Sequence, residues 1–206
     1  MKRVAFHGTR NLSEIIHNEA IVCPSLQTGE ALFERHSEIY NRLVREFAEK
    51  IKDKLREQGK SLENEPYYAA SNRTDYILAD IVMQNYHFFG VSGDAASRFK
   101  EMRRGVNVFL SNYLVAANYA QGLEKGVLEC VIDYTKVTSQ LDNGWTLFPG
   151  RVGLDDVRCV YVEPFNSRRV RTELRKKGYD TPVRDINRRV EVSFNEVSTL
   201  PSQPYR

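Results

Sequence analysis

An α+β fold is what this sequence predicts, and three observations carry the prediction. Helical periodicity dominates the first half of the chain, β-branched and aromatic alternation gathers beyond residue 105, and neither a GxGxxG nor a GxxxxGK[ST] run occurs. Helices first and strands mostly later favour an α+β domain built around an antiparallel sheet over a doubly wound nucleotide fold. A chain of 206 residues suits one domain with a full core, here carrying an insertion. With 41% hydrophobic and 28% charged residues the composition is ordinary for a globular protein, and no apolar run approaches the roughly 20 residues of a membrane span. Met1-Lys2-Arg3 is not followed by a continuous apolar segment, so the expected compartment is the cytoplasm.

Val4 to Phe6 reads as a short strand. Asn11 stands before Leu12-Ser13-Glu14-Ile15-Ile16 as a polar helix cap, and Pro24 closes that segment. From Glu30 to about Gln58, Phe33, Tyr40, Val44, Phe47, Ile51 and Leu55 recur at steps of three, four and seven, with Glu, Lys and Arg filling the rest. This is the pattern of a long amphipathic helix, whose stripe packs on its own domain or serves a partner. Gly59 to Pro66 reads as a loop, and Thr74 or Asp75 caps a second helical period that runs through Val82. After Gly90 and Gly93 a third helix is expected from Ala95 to Arg103. Strands follow at Val106 to Leu110, Val127 to Ile132, Arg158 to Val162 and Val190 to Phe194.

Cys23, Cys130 and Cys159 are odd in number and form no close pair, which argues against a disulfide framework. Cys130 and Cys159 lie in apolar runs and read as small core residues. His7, His17, His36 and His87 are scattered without metal-ligand spacing, so no structural zinc is expected.

The richest motif is Phe6-His7-Gly8-Thr9, where a strand ends in an imidazole, an unhindered backbone and a hydroxyl side by side. Three segments follow it in order: Gly105 to Ser111, Ala116-Ala117-Asn118-Tyr119-Ala120, and Val190-Glu191-Val192-Ser193-Phe194. Taken together they resemble the ADP-ribosyltransferases of the poly(ADP-ribose) polymerase and diphtheria-toxin branch, whose signature is His, Tyr and Glu on three separated strands. The resemblance covers the strand segments, roughly half the chain, and implies a split antiparallel sheet in one domain, 1–206, with a helical insertion at about 30–104.

What the resemblance implies for each residue is specific. His7 would bind the adenosine-side ribose of NAD+, the Gly8 backbone would hold the nicotinamide carboxamide, and Thr9 completes the motif. Alignment on Ala117-Asn118-Tyr119 retains Tyr119 as the residue that stacks on the nicotinamide ring. Two positions depart from the family. Val108 stands where the triad Tyr belongs, and Ala116 stands where a Ser would donate to the carboxamide. A shift of one residue would bring Phe109 beside the ring instead, since alternation lets only one of Val108 and Phe109 face a pocket. The catalytic acid is Glu191, which opens an alternating strand opposite Val190, Val192 and Phe194; Glu196, in Asn195-Glu196-Val197, is the alternative.

Nicotinamide is a competent leaving group, and its glycosidic bond breaks through an oxocarbenium-like transition state. Catalysis then rests on positioning and electrostatics, with Glu191 stabilising the developing positive charge and taking the acceptor's proton. NAD+ enters as co-substrate, and the chemistry calls for no metal. Each residue also has a plain structural reading: His7 as a hydrogen-bonded strand residue, Tyr119 as a helical core aromatic, Glu191 as the wet face of a strand.

Between Arg168 and Arg189, nine basic residues face three acidic ones, a local net charge of +6 that leaves −3 on the rest of a chain whose total is +3. Such a segment suits a phosphate backbone or the pyrophosphate of NAD+, although Arg168, Arg171 and Arg175 also have the spacing of a solvated helix face. The acceptor expected is RNA or DNA, else protein, and the compact chain resembles a bacterial or phage-defence toxin. An antitoxin or other partner would then engage the helical insertion. The alternative reading is an inactive NAD or ADP-ribose binding module.

Overall fold

The computed structural model describes residues 2–60, 74–141 and 144–187. Helix and strand are mixed, as the α+β pattern requires, and the chain divides into two compact units. The first comprises residues 1–21, 109–134 and 152–206, and the second residues 22–108 and 135–151. The stretch read as an insertion, 30–104, falls within the second unit. Glu191, Glu196 and the strand expected at Val190 to Phe194 lie outside the described residues, as does most of the loop expected from Gly59 to Pro66.

Strand β1 (Lys2–Thr9) is followed by helix α1 (Leu12–Asn18), whose Asn11 cap accepts from the Glu14 N–H while its own Nδ2 donates to the Glu14 carboxylate at 2.9 Å. The pair differs from a capping box in that Glu14 holds the cap's side chain, while the Asn11 backbone N–H donates to Thr9 Oγ1. Helix α1 stops before Pro24, at Glu19, which takes the left-handed conformation with φ 55°. The chain then makes β2 (Ala20–Val22), and Pro24 opens helix α2 (Pro24–Thr28), where its missing N–H costs nothing. Pro24 is therefore a start signal and not the stop it resembled in the sequence.

Helix α3 (Glu30–Glu57) matches the long amphipathic period almost to the residue. Tyr40, Val44 and Phe47 of the predicted stripe are buried, joined by Leu43 and Ala48, while Phe33 and Ile51 pack at its margin. Helices α4 (Thr74–Gln84) and α5 (Gly93–Val106) close on this face, α5 beginning at a Ser92 side chain that accepts from the Ala95 N–H. Phe99 is fully buried between Tyr40 and Phe47, with ring centroids 5.4 Å and 5.1 Å away. Val106, expected to begin a strand, is the last residue of α5, and β3 (Asn107–Leu110) follows without a loop.

Among the described residues, this apolar core contains a buried ion pair. Asp80 of α4 accepts from Arg103 Nη1 of α5 at 2.8 Å, and Ser139 Oγ donates to its other oxygen. Ser139 belongs to β5 (Ser139–Gln140), which pairs antiparallel with β6 (Thr146–Pro149) in a sheet of order β3-β6-β5. Exposed pairs along α3, such as Arg42–Glu46 at 3.7 Å, contribute only tenths of a kcal/mol by comparison.

In the first unit, helix α6 (Tyr113–Tyr119) precedes β4 (Gly126–Asp133). A further strand, β7 (Arg151–Gly153), pairs with β2. Strand β8 (Val157–Val162), helix α7 (Ser167–Lys176) and β9 (Val183–Asp185) complete the described chain. The sheet runs β1-β4-β8-β9, with β4 antiparallel to both neighbours and a bulge between Glu129 and Cys130. The antiparallel expectation fails at the last pair, because β9 runs parallel to β8. The reason is connectivity: a parallel neighbour needs a crossover, and α7 supplies it. Cys130 and Cys159 are buried in this sheet and Cys23 in the second unit, all as free thiols. No helix among the described residues is long and apolar enough to cross a membrane.

Replacing Asp80 by Ala leaves the Arg103 guanidinium buried without its carboxylate, and its Nε already has no hydrogen-bond partner. Asp80→Ala is expected to cost about 3 kcal/mol or more, read from the urea midpoint at unchanged m, whereas Asp80→Asn, which keeps an acceptor, costs less.

Candidate functional site

The end of β1 and the α6 segment come together in the first unit, and both are fixed by local chemistry. Strand β1 pairs with β4 along one edge, in the register His7↔Leu128, Gly8↔Val127 and Thr9↔Gly126. Along its other edge Phe6 exchanges two backbone hydrogen bonds with Ser111, each 2.8 Å. Asn112 then caps α6, its side chain accepting from the Val115 N–H at 3.0 Å. Because side chains alternate along a strand, Phe6 and His7 project to opposite faces of the sheet.

His7 is half-buried, and its Nδ1 lies 3.0 Å from the Phe109 carbonyl. A carbonyl only accepts, so Nδ1 carries the proton and Nε2 is left as the ring's acceptor. Burial holds the imidazole below the ordinary histidine pKa, and the bond to Phe109 opposes that shift only in part. The ring is therefore neutral at physiological pH, with a fixed tautomer.

Gly8 meets α6 at closer range than any other residue type permits. A Cβ built on Gly8 would lie 1.9 Å from the Ala116 carbonyl oxygen, and Ala116 itself is fully buried. Thr9 turns its hydroxyl to local use, accepting from the Asn11 N–H at 3.1 Å ahead of α1. Tyr119 ends α6 and is 54% exposed, so it is a surface aromatic and not the core residue its helical position suggested. Of the two β3 candidates, Val108 is buried and belongs to the second unit, while Phe109 is half-buried in the first and offers its carbonyl to His7.

Tyr113 anchors α6. Its ring meets Phe6 edge-on at 5.4 Å and Tyr161 at 5.2 Å, and its hydroxyl donates to the Ile186 carbonyl at 2.8 Å. Beneath it lies a carboxylate that the sequence pattern did not single out. Glu129 of β4 is 5% exposed, accepts from Tyr161 OH at 2.6 Å, and pairs with Arg158 Nε at 3.0 Å. Burial, and then the bond to Glu129, push the Tyr161 phenol well above its ordinary pKa. With both oxygens engaged, Glu129 acts as a structural acceptor. The available signal was a Glu inside the apolar run Val127-Leu128-Glu129-Cys130-Val131-Ile132.

Among the described residues no group of three or more His, Cys, Asp or Glu side chains is placed to hold a metal ion. Comparison with protein-family models, with curated proteins and with solved structures gives no match to this chain.

Two outcomes follow from this geometry. Gly8→Ala is expected to destabilise the protein by about 3 kcal/mol or more in chemical denaturation, the upper end of overpacking costs. Because the clashing atom is backbone, Ala116→Gly does not rescue it. For His7, the unfolded chain takes up its proton near pH 6.5 while the folded chain resists until lower pH. Stability is then full above that value and declines as pH falls below it, because the unfolded state binds more protons there. Denaturation at a series of pH values should show this slope in the wild type and lose it in His7→Gln.

Proposed function

We propose that this chain is an NAD-dependent mono-ADP-ribosyltransferase acting on a macromolecule, nucleic acid ahead of protein. The observation that carries the reading is His7: a neutral imidazole whose Nδ1–H is committed to Phe109, leaving Nε2 to accept from a ribose hydroxyl. Gly8, next in the strand, lies against α6 at Ala116, so the two motifs that the family uses for the carboxamide are adjacent in this fold. Tyr119, one turn further along α6, is exposed enough to offer its ring to nicotinamide.

In this reading the bond between the nicotinamide nitrogen and ribose C1′ breaks, and nicotinamide leaves with the electron pair. The acceptor forms the new bond to C1′ and yields its proton. Glu191 stabilises the positive charge that develops on the ribose and takes that proton. Its assignment rests on the sequence resemblance, with Glu196 as the alternative. A split antiparallel sheet of the family's type, action as a toxin and a neutralising partner on the helical unit belong to the same proposal.

A second reading, an inactive NAD or ADP-ribose binding module, draws on two positions. Val108 is buried where the family places its Tyr, and Ala116 has no hydroxyl to donate.

Incubation with labelled NAD+ and, separately, RNA, single-stranded DNA and a protein extract tests the proposal. Label is expected in one nucleic-acid fraction, lowered at least about 100-fold by Glu191→Ala, with NAD+ binding retained. His7→Ala should weaken NAD+ binding itself. Binding without transfer would favour the module, and absence of NAD+ binding would overturn both readings.

A further inference from the structure

Helix α7 ends in a turn that builds a second site, on residues with no part in the NAD reading. The Gly178 N–H donates to Arg175 O and the Tyr179 N–H to Leu174 O, each at 3.0 Å, with Gly178 at φ 87°. This is the Schellman pattern, and it turns the chain back sharply after the helix. Tyr179 is then pinned by its hydroxyl, which donates to Glu19 at 3.2 Å, while Lys177 holds the other oxygen of the same carboxylate at 2.9 Å. Strand β9 follows, parallel to β8, and carries Arg184 to the same place.

The result is an open cleft of about 370 Å³ lined by Arg171, Arg175, Arg184, Tyr179 and Asp180 together with the Thr181 to Val183 backbone. Arg171 and Arg175 reach the cleft from α7 and Arg184 from β9, where it shares the sheet face of Tyr161. Arg171 is braced by Nη2 donating to the Val183 carbonyl at 3.0 Å, which leaves its remaining N–H groups for a ligand. Among the described residues Arg175 contacts Asp180 at 4.0 Å, with their side chains 74% and 98% exposed, so that pair yields readily to a stronger anion. Guanidinium forks match phosphate oxygens, and a fixed aromatic ring beside them matches a base.

The geometry points to this cleft as the docking site for single-stranded nucleic acid, with backbone phosphate on Arg171 and Arg175 and a base on the Tyr179 ring. The inference rests on the nucleic-acid arm of the proposed function and names where that acceptor is held. A cleft of this size admits about one nucleotide, which sets the interaction as local and not as an extended channel.

Fluorescence anisotropy of labelled single-stranded DNA and RNA oligonucleotides, titrated with the full chain over a range of salt and without NAD+, tests it. Arg171→Ala/Arg175→Ala is expected to weaken binding at least about tenfold and to lower the salt slope by about 0.7, the share of the one phosphate no longer neutralised. Tyr179→Leu should weaken binding roughly tenfold at nearly unchanged slope, while Tyr179→Phe, which keeps the ring, stays close to wild type. Arg42→Ala/Arg45→Ala on α3 removes the same charge elsewhere and should leave binding unchanged. Equal weakening by that control, wild-type binding by the cleft variant, or equal binding of a polyglutamate peptide would each overturn the proposal. Binding that depends on the cleft while no NAD-derived label is ever transferred would remove only the transferase reading. Label transfer to nucleic acid undiminished in the cleft variant would remove only this docking site.

Discussion

The first unit depends on one close approach, the seating of α6 on β1 through Gly8 and Ala116. The helix carbonyl occupies the volume of the missing side chain, so the helix lies nearer the sheet than an alanine would allow. Tyr113 is brought by the same approach between Phe6 and Tyr161, and from there its hydroxyl reaches Ile186 at the far side of the sheet. A backbone-to-backbone contact of this kind cannot relax by changing a rotamer, which makes it a constraint on the whole arrangement.

Each unit buries a carboxylate held by an ion pair and a hydroxyl. Asp80, Arg103 and Ser139 form one such set, and Glu129, Tyr161 and Arg158 another. Removing one member strands the others, so these networks favour a single packing over its near alternatives. His7 differs from both sets. Its ring has one nitrogen committed to the Phe109 carbonyl and the other left as an acceptor.

The charge asymmetry of the chain acquires a physical form in the α7 turn. Arg168 and Arg169 remain on the exposed face of the helix, Arg169 paired with Glu124 at 2.7 Å. Arg171 and Arg175 instead line, with Tyr179 and Arg184, the cleft beside the Gly178 turn. A basic stretch that is uniform along the sequence is thus divided between an exposed helix face and the lining of a cleft.

Local signals in the sequence determined much of the architecture. The 3.6 period of Tyr40, Val44 and Phe47 located α3, Asn11 located the start of α1, and alternating apolar runs located β4 and β8. These are legible because a cap or a stripe acts within one or two turns of its own chain. The His7-Gly8-Thr9 run was legible as the end of a strand. Tertiary structure alone decided that β9 runs parallel, that Glu129 is an internal acceptor, that Gly8 must be glycine because of Ala116, and that Tyr179 and Arg184 join Arg171 and Arg175. Each of these depends on strand register or on a crossover that joins residues distant in the chain, and such choices are settled by packing free energy that no short window of sequence contains.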